Sequence, residues 1–331
     1  MIKLDLITGF LAAGKTHFIR AYAEYLLAKG EKIGILVGDN GAVNIDAALL
    51  KDLQGERCEM EMLAGAGDID CIRRRMRTKL ISMAMLGCGR LLMEPSGAFD
   101  AEELYDLLNE APLDKWYEIG SVIAVIDARR QANMPQEALH LMASQAASAG
   151  CWVFSHADCA SEEELQNAPA RLGAELKAIG CMRNVEKIPV FYSSGTLKDD
   201  EYAAIESCGW MPSDHVHQSA NEGGEFQSLY YFDLPVSRKV LTEKIDILFS
   251  DFSYGQIFRV KGFFKENETW YEINASAGDM AIAESDATRG IIVVIGLRLH
   301  ETAINTLIYE GLNAKNPLEG LHLLDEQPDK T

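Results

Sequence analysis

The sequence predicts an α/β protein in which a mostly parallel sheet with helices on both faces is followed by a small α+β domain. Through the first two-thirds of the chain, short apolar runs alternate with amphipathic stretches, which is typical of strand–helix–strand units. This pattern stops after Trp210. Further along the chain, apolar and polar residues alternate in stretches such as Phe258–Phe264, as in antiparallel strands. We therefore expect a first domain at 1–209, a linker at 210–226, a second domain at 227–325 and a tail at 326–331.

Six apolar runs predict the strands of the parallel sheet, and polar or acidic residues follow several of them. In a parallel sheet these strand ends lie along one edge, where ligands bind. A capping box at Ser161 and Glu164 predicts a helix that continues to about Ile179. The six predicted strands are Ile2–Thr8, Lys32–Val37, Arg90–Met93, Ser121–Ile126, Cys151–Phe154 and Ile188–Tyr192. In the second domain, strands are predicted at Leu229–Leu234, Phe258–Phe264, Trp270–Asn274 and Ile291–Ile295, with helices at Ser237–Leu248 and Glu301–Gly311.

Composition and charge narrow the class of protein. Of 331 residues, 48% are hydrophobic and 24% are charged, which is usual for a soluble globular protein. No apolar run approaches the length of a membrane span and no secretory signal is evident, so we expect a cytoplasmic protein whose seven cysteines are reduced thiols. The net charge of −19 disfavours nucleic acid and acidic membrane surfaces as partners, while it suits cationic ligands such as metals and also solubility.

The first predicted strand runs directly into Gly9–Thr16, which satisfies the pattern G-x-x-x-x-G-K-[ST]. A helix is predicted to begin near Lys15, so strand, glycine loop and helix have the order of a phosphate-binding loop. The backbone N–H groups of such a loop surround phosphates at the positive end of the helix. We expect Lys15 to neutralise the β- and γ-phosphates and the Thr16 hydroxyl to hold Mg²⁺. The residues expected to contact the nucleotide are Gly9, Ala12, Ala13, Gly14, Lys15, Thr16 and His17.

Phosphoryl-transfer chemistry on this fold also needs a magnesium ligand, a γ-phosphate sensor and a base-recognition loop at strand ends. Glu94, at the end of a predicted strand, is the candidate magnesium ligand, and Gly97 is the candidate γ-phosphate sensor. The other interpretation of Glu94 is a polar strand terminus. Asp39 and Asp46 are further candidates to hold magnesium or its waters. Asp158 is expected to accept both N–H groups on the edge of guanine.

The order of these motifs resembles that of the CobW-type GTPases, which are metallochaperone-like relatives of the nickel-insertion GTPases for urease and hydrogenase. The family P-loop G-F-L-G-A-G-K-T is similar to Gly9–Thr16, and its second switch E-T-S-G is similar to Glu94–Gly97. Further similarities lie at Gly38–Gly41 with Ile45–Asp46, Val125–Asp127, Gln145, Arg259–Gly262 and Ile295–Gly296. The resemblance covers nearly the whole chain and implies a GTP- and Mg²⁺-binding protein that serves a client metalloenzyme or a cobalamin-linked protein.

The metal motif of that family, C-x-C-C, is only partly kept. It corresponds here to Gly67–Ile72, so the resemblance makes Asp68, Asp70 and Cys71 a candidate transition-metal site. Two carboxylates and one thiolate are a harder donor set than three thiolates, but they still permit Zn²⁺, Co²⁺ or Ni²⁺. Alternatively, the aspartates cap a helix that begins at Ile69 or Cys71. Cys58 and Cys88 are the candidates for a further thiolate folding back onto this loop.

The base-recognition motif N-K-x-D of the family corresponds to Ser155–Asp158. Asp158 keeps the guanine-recognising carboxylate, and Ser155, His156 and Ser193 are expected beside the base. His156 replaces the lysine, and losing the asparagine is expected to remove an amide that braces the loop. Because a loosened site discriminates less, we expect GTP to be favoured while ATP binding remains open.

Two further stretches have alternative interpretations. The basic run Arg73–Arg77 suits an acidic partner or a phosphate, or else a solvated helix face that pairs with local acids. His215 and His217 could share a metal ion, or they are ordinary residues of the linker.

The predicted function is a Mg²⁺-dependent GTPase, slow without a partner, that acts as a metal- or cofactor-insertion chaperone and binds its client through the second domain. Hydrolysis is expected to reposition the loops around 39–46 and 65–75. The alternative is a nucleotide-gated regulator that binds a partner without carrying metal, which the loss of thiolates favours. A small-molecule kinase ranks last because no lid is evident in the sequence.

Overall fold

The computed structural model of the protein describes residues 1–39, 49–64, 69–95, 101–129, 134–213 and 226–312. The chain forms two compact units, Met1–Gly223 and Gly224–Thr331. None of the helices within the described ranges is both long and apolar enough to cross a bilayer.

A seven-stranded sheet in which all strands are parallel forms the centre of the first unit. Its strands are β1 (Ile2–Thr8), β2 (Ile33–Asp39), β3 (Cys58–Ala64), β4 (Arg90–Glu94), β5 (Tyr117–Asp127), β6 (Cys151–Ser155) and β7 (Val190–Tyr192). The helices described in this unit are α1 (Lys15–Ala28), α2 (Ile69–Met85), α3 (Ala101–Leu108), α4 (Leu113–Trp116), α5 (Gln136–Ala147), α6 (Glu162–Ala178) and α7 (Asp199–Glu206).

The strand order is β3-β2-β4-β1-β5-β6-β7, so β1 lies where the order reverses. The chain adds β2, β3 and β4 on one side of β1 and then β5, β6 and β7 on the other. In open α/β sheets, ligands bind outside the carboxyl ends of the strands at such a switch point. The loop that follows β1 is therefore the central position of the binding edge.

The central strands are apolar on both faces because helices cover the sheet on both sides. Leu6 and Ile7 are neighbours on β1, yet they belong to two different core clusters, as do Trp152 and Val153 on β6. Alternate residues of each strand thus fill opposite layers. This arrangement confirms the predicted α/β class, and all six predicted strands are present.

A seventh strand, β3, was not among the predicted ones. It lies at the edge of the sheet and pairs with β2 only, from Ile33 opposite Cys58 to Asp39 opposite Ala64. Its sequence alternates acidic residues with methionines, and Met62 is 50% exposed. An edge strand needs no continuous apolar run, and methionine has no strong strand preference, so the signal in the sequence was weak.

A buried ion pair lies inside the first unit. Asp5 of β1 and Arg90 of β4 have side-chain exposures of 0% and 4%, and an Arg90 guanidinium nitrogen lies 2.5 Å from a carboxylate oxygen of Asp5. Asp5 also accepts hydrogen bonds from the Ser121 backbone N–H at 2.9 Å and the Tyr22 hydroxyl at 3.0 Å. The second nitrogen of Arg90 reaches Glu206 at 3.3 Å. The charges of Asp5 and Arg90 therefore compensate each other within the core.

The described part of the second unit, residues 226–312, forms a small antiparallel sheet with two α-helices. Its strands and helices are β8 (Phe226–Phe232), α8 (Arg238–Ser250), β9 (Gln256–Glu266), β10 (Thr269–Ser276), β11 (Asp279–Glu284), β12 (Ile291–Leu297) and α9 (Glu301–Tyr309). The sheet order is β11-β10-β9-β12-β8. Leu241 and Ile245 of α8 pack against Val260 and Phe264 of β9 in one core cluster. The predicted α+β character is confirmed, and β11 is an additional edge strand.

Candidate nucleotide-binding site

The loop after β1 has the backbone conformation that its glycines permit. Gly9 has a φ of 137°, and a Cβ at this position would overlap the carbonyl oxygen of Val125 on the adjacent strand β5. Gly14 has a φ of 82° and immediately precedes α1. The first helical hydrogen bond runs from Phe18 N–H to Gly14 carbonyl at 3.0 Å. The positive end of α1 therefore opens onto the loop, as an anion site requires.

Lys15 and Thr16 lie at the start of α1 and are both 6% exposed. The Lys15 ammonium donates a hydrogen bond of 3.1 Å to the carbonyl of Phe10, which bends the side chain back over its own loop. The Thr16 hydroxyl lies 3.2 Å and 3.4 Å from the two carboxylate oxygens of Glu94. Two residues that are 78 positions apart in the chain are thus brought together at the carboxyl ends of β1 and β4.

The pair formed by Thr16 and Glu94 fits a magnesium ion. Mg²⁺ prefers hard oxygen ligands in an octahedral arrangement at about 2.1 Å, which places neighbouring ligands about 3 Å apart. The two oxygens lie at that separation, and Glu94 is only 4% exposed. A cation would therefore replace the hydrogen bond between them with little movement of either side chain.

The candidate base-recognition loop, Ser155–Asp158, is joined directly to the phosphate loop. The Ser155 hydroxyl donates a hydrogen bond of 2.7 Å to the carbonyl of Ala13 and also lies 3.2 Å from the carbonyl of Ile126. The ring of His156 and the side chain of Ser155 lie within 3.6 Å of a Cβ placed on Gly14. The expected loss of a brace at this loop is therefore wrong, because the serine hydroxyl makes the connection.

The rest of the base loop is held by backbone hydrogen bonds. His156 has a φ of 54°, and Ala157 N–H donates to the Ser193 carbonyl at 3.1 Å. Ser193 N–H in turn donates to the carbonyl of Phe154 at 2.8 Å. These bonds fix the turn that carries Asp158, whose side chain is exposed at the same edge of the sheet.

A charged cluster that the sequence did not suggest borders this loop. Asp127, at the end of β5, makes a bidentate ion pair with Arg129, whose closest approach is 2.7 Å. The His156 ring nitrogen Nδ1 lies 3.5 Å from the same carboxylate and 3.1 Å from the Ser155 hydroxyl. The pairing of an aspartate with an arginine two residues later was visible in the sequence, but its position beside the base loop depends on the sheet order.

Several predicted site residues cannot be placed. Asp46, Asp68, Gly97, His215 and His217 lie outside the described residues, as do the side chains of Asp39 and Asp70. The backbone of Asp39 forms the last residue of β2, opposite Ala64. These positions remain predictions.

The candidate transition-metal loop is described only from its helical side. Cys71 lies in the first turn of α2, and the Arg74 guanidinium donates to its sulfur at 3.3 Å. Among the residues that the structure describes, no group of three His, Cys, Asp or Glu side chains is arranged to hold a metal. Because two of the three candidate side chains are outside that part, the metal site stays a prediction.

The suggestion that Cys58 or Cys88 adds a thiolate to this loop is wrong. Cys58 is the first residue of β3, at the amino end of the parallel strands. The candidate loop follows the carboxyl end of this seven-residue strand, and the two ends of the strand are about 20 Å apart. Cys88 precedes the start of β4, so it also lies at the amino ends of the strands. Cys58 and Cys88 are 2% and 4% exposed, and burial raises the pKa of the Cys58 thiol to about 11. These two cysteines are buried core residues.

The basic run on α2 makes contacts with the chain that follows α3. Arg73 forms an ion pair of 2.6 Å with Glu110, and Arg77 donates a hydrogen bond of 2.7 Å to the carbonyl of Ala111. These contacts favour the interpretation as a helix face that pairs with local groups.

A doubly wound sheet, a phosphate loop at its switch point and a Thr–Glu pair beside it define a P-loop nucleotide-binding protein. The family model for CobW/HypB/UreG, nucleotide-binding domain, matches residues 4–180 of the chain. The match spans more than half of the 331 residues, and the chain belongs to this family of GTPases.

Three curated relatives support this assignment. The zinc chaperone YeiR of Escherichia coli (strain K12) is 30% identical over 171 residues, which cover 50% of each chain. The zinc-regulated GTPase metalloprotein activator 1 of Schizosaccharomyces pombe is 26% identical over 173 residues, covering 50% of this chain and 41% of the relative. The zinc chaperone CobW of Pseudomonas aeruginosa is 24% identical over 316 residues, covering 79% of this chain and 76% of the relative. The chain spans about half the length of the first two relatives.

Proposed function

We propose that this protein is a Mg²⁺-dependent GTPase that uses its nucleotide cycle to deliver a metal ion to a client metalloprotein or cobalamin-linked protein. The observation that carries the proposal is the convergence of three parts at one sheet edge: the loop Gly9–Thr16, the pair Thr16–Glu94, and the base loop tied to Ala13 by Ser155. Membership of the CobW/HypB/UreG family supports it.

Each of these parts has a chemical role in the proposal. The backbone N–H groups at the start of α1 bind the phosphates, and Lys15 leaves the Phe10 carbonyl to neutralise their charge. Thr16 and Glu94 would hold Mg²⁺, which would supply positive charge to neutralise the phosphates. Asp158 accepts the two N–H groups on the edge of guanine, and Gly97 contacts the γ-phosphate. Asp39 or Asp46 would hold magnesium or its waters.

The cargo in this proposal is a transition metal bound at Asp68, Asp70 and Cys71. Two of the relatives are named zinc chaperones, so Zn²⁺ is the first candidate, with Co²⁺ and Ni²⁺ next. Two carboxylates and one thiolate provide three of the four ligands of a tetrahedral Zn²⁺ site. GTP hydrolysis would move the loops around 39–46 and 65–75, which couples the nucleotide to the metal. The second domain, at 227–325, would bind the client.

A second candidate function is a nucleotide-gated regulator that binds its partner without carrying metal. Cys58 and Cys88 lie at the amino ends of the strands, away from the candidate metal loop, and this position favours the regulator. Without them, the loop has one thiolate instead of the three in the family motif, so its affinity for Zn²⁺ is expected to be lower.

The two functions are separated by titrating metal-free protein with Zn²⁺, Co²⁺ and Ni²⁺, with and without GTP and Mg²⁺. We expect one equivalent of Co²⁺ to bind with a thiolate-to-cobalt absorption band that changes when GTP is added. The variant Asp68→Ala/Asp70→Ala/Cys71→Ala should lose this band. A matched control is Cys159→Ala, because Cys159 is an exposed thiol outside the candidate loop.

The same samples test hydrolysis by phosphate release. GTP turnover without nucleotide-dependent metal binding would reject the chaperone and favour the regulator. Metal binding that persists in the triple variant would place the metal elsewhere. If GTP neither bound nor turned over, the GTPase proposal itself would fail.

A further inference from the structure

The segment that follows α7 returns alongside the sheet and pairs with the residues before β6. Ala149 and Trp210 form an antiparallel bridge. Met211 N–H donates a hydrogen bond of 3.1 Å to the Ser148 carbonyl, and this bond continues the register of the bridge. This pairing brings the chain around Cys208 beside the start of β6, where Cys151 pairs with Ile123 of β5.

The two backbones approach closely next to these cysteines. A Cβ on Gly150 would overlap the carbonyl oxygen of Gly209 and would lie 2.6 Å from that of Cys208. Both segments also bind the same residue of β5, since Gly150 N–H donates to the Val122 carbonyl at 2.7 Å and Val122 N–H donates to the Gly209 carbonyl at 2.9 Å. Gly150 thus allows a contact that any other residue would prevent.

Cys208 packs against the core cluster that contains Cys151. Its sulfur lies 3.9 Å from the Val122 carbonyl oxygen, which also accepts the hydrogen bond from Gly150 N–H. A disulfide needs Cβ atoms about 3.5–4.5 Å apart. Because both side chains belong to one cluster beside Gly150, a movement of the returning segment would bring the two sulfurs to bonding distance.

We propose that Cys151 and Cys208 are a thiol pair that a small-molecule disulfide of the glutathione class oxidises to an intramolecular disulfide. The pair lies at the amino end of β6, whereas the candidate nucleotide site lies at its carboxyl end, at Ser155. The bond would fasten the segment after α7 to the sheet. This proposal does not depend on GTP or on the candidate metal loop.

The surroundings of the two sulfurs give them different roles. Cys151 is fully buried, whereas Cys208 is partly exposed and therefore accessible to a small disulfide. Interaction with the Cys151 thiol lowers the pKa of Cys208. The same interaction and burial raise the pKa of Cys151. Cys208 is thus the attacking thiolate and Cys151 the resolving thiol.

The exchange balances in two steps. The Cys208 thiolate attacks one sulfur of the small disulfide, which forms a mixed disulfide and releases one small thiolate. Cys151 gives its proton to the released thiolate, and its sulfur then attacks the Cys208 sulfur and releases the second small thiolate. This thiolate takes from the solvent the proton that Cys208 lost when it became a thiolate. Two protein thiols are oxidised to one disulfide, and one small disulfide is reduced to two thiols.

The test incubates the folded, full-length protein with oxidised glutathione, alkylates the remaining thiols and analyses the digested peptides by mass spectrometry. We expect a peptide that links Cys151 to Cys208, loss of alkylation at both, and recovery of both after reduction with dithiothreitol. In Cys151→Ala, which keeps a small apolar group in the core, Cys208 should retain one glutathione as a mixed disulfide. In Cys208→Ser, Cys151 should remain unmodified.

Cys159→Ser serves as the control, because Cys159 is exposed and its removal should leave the Cys151–Cys208 link unchanged. Circular dichroism of each variant checks that it is folded. If folded wild-type protein acquires glutathione only at Cys159, the proposal is overturned. It is also overturned if Cys151→Ala fails to form the mixed disulfide at Cys208.

Discussion

The Ser155 hydroxyl donates a hydrogen bond of 2.7 Å to the backbone carbonyl of Ala13, although the two residues are 142 positions apart. The bond joins the candidate base-recognition loop to the phosphate loop, so that each holds the other in place. Ser155 is 9% exposed, and therefore water competes little for this bond. The two halves of the candidate nucleotide site are consequently one structural unit.

Replacing Ser155 with alanine should weaken nucleotide binding by loosening both loops. A hydrogen bond of this kind contributes about 1 kcal/mol, which corresponds to roughly a fivefold increase in the Kd for GTP. Fluorescence titration with a labelled GTP analogue measures the change. Ser161→Ala is the matched control, because Ser161 caps α6 only six residues later and its loss should lower helix stability without changing the Kd for GTP. An unchanged Kd in Ser155→Ala would show that the bond does not support the site.

Replacing Asp158 with asparagine should change the base that is recognised. In the proposed site the Asp158 carboxylate accepts from both guanine N–H groups, whereas an amide would offer one donor and one acceptor, which matches xanthine. Losing two hydrogen bonds to a charged group should cost about 3 kcal/mol, or roughly a 100-fold increase in the Kd for GTP.

Competition between GTP and XTP for a labelled nucleotide measures this exchange. Asp199→Asn is the control, since it removes an equal charge from the exposed start of α7. Equal losses of GTP affinity in the two variants would point to net charge instead of base recognition. A Kd for GTP that stays the same in Asp158→Asn would remove Asp158 from the site.

The parts of the site that the sequence predicted are those defined by local patterns. Gly9, Gly14, Lys15 and Thr16 belong to one eight-residue pattern whose backbone conformation is set by its glycines, so strand, loop and helix could be predicted together. The strand before Glu94 was equally clear because it is buried on both faces.

The parts that were missed depend on distant contacts or weak patterns. To predict the hydrogen bond between Ser155 and Ala13, one must know that β6 ends beside the phosphate loop. Cys208 packs against the cluster that contains Cys151 because the chain reverses after α7, and no periodic pattern in the sequence marks this reversal. The edge strand β3 escaped because alternating acidic residues and methionines indicate a strand only weakly.

Replacing Glu94 with glutamine should raise the Mg²⁺ requirement. Glutamine keeps the size of the side chain and an oxygen that accepts from the Thr16 hydroxyl, but it removes the negative charge that attracts the cation. We expect the Mg²⁺ concentration for half-maximal GTP hydrolysis to rise about tenfold, corresponding to about 1.4 kcal/mol. Phosphate release measured across a range of Mg²⁺ concentrations tests this. Glu186→Gln, an exposed substitution away from the site, should leave the requirement unchanged, and a normal requirement in Glu94→Gln would exclude Glu94 as a ligand.

Replacing Asp5 with leucine should destabilise the first unit, because it leaves the charge of Arg90 buried without its main partner. Breaking a buried ion pair on one side costs about 3–5 kcal/mol, whereas replacing both partners with apolar residues is often nearly neutral. The double variant Asp5→Leu/Arg90→Leu should therefore recover most of the stability lost in Asp5→Leu. Urea unfolding followed by circular dichroism measures the free energy of unfolding of the single and double variants. The control is Lys29→Ala, which removes an exposed partner of Glu206 and should lower the free energy of unfolding by less than about 1 kcal/mol. If the double variant lost as much free energy of unfolding as the two single variants together, the loss would come from packing. The buried charge of Arg90 would then not be its cause.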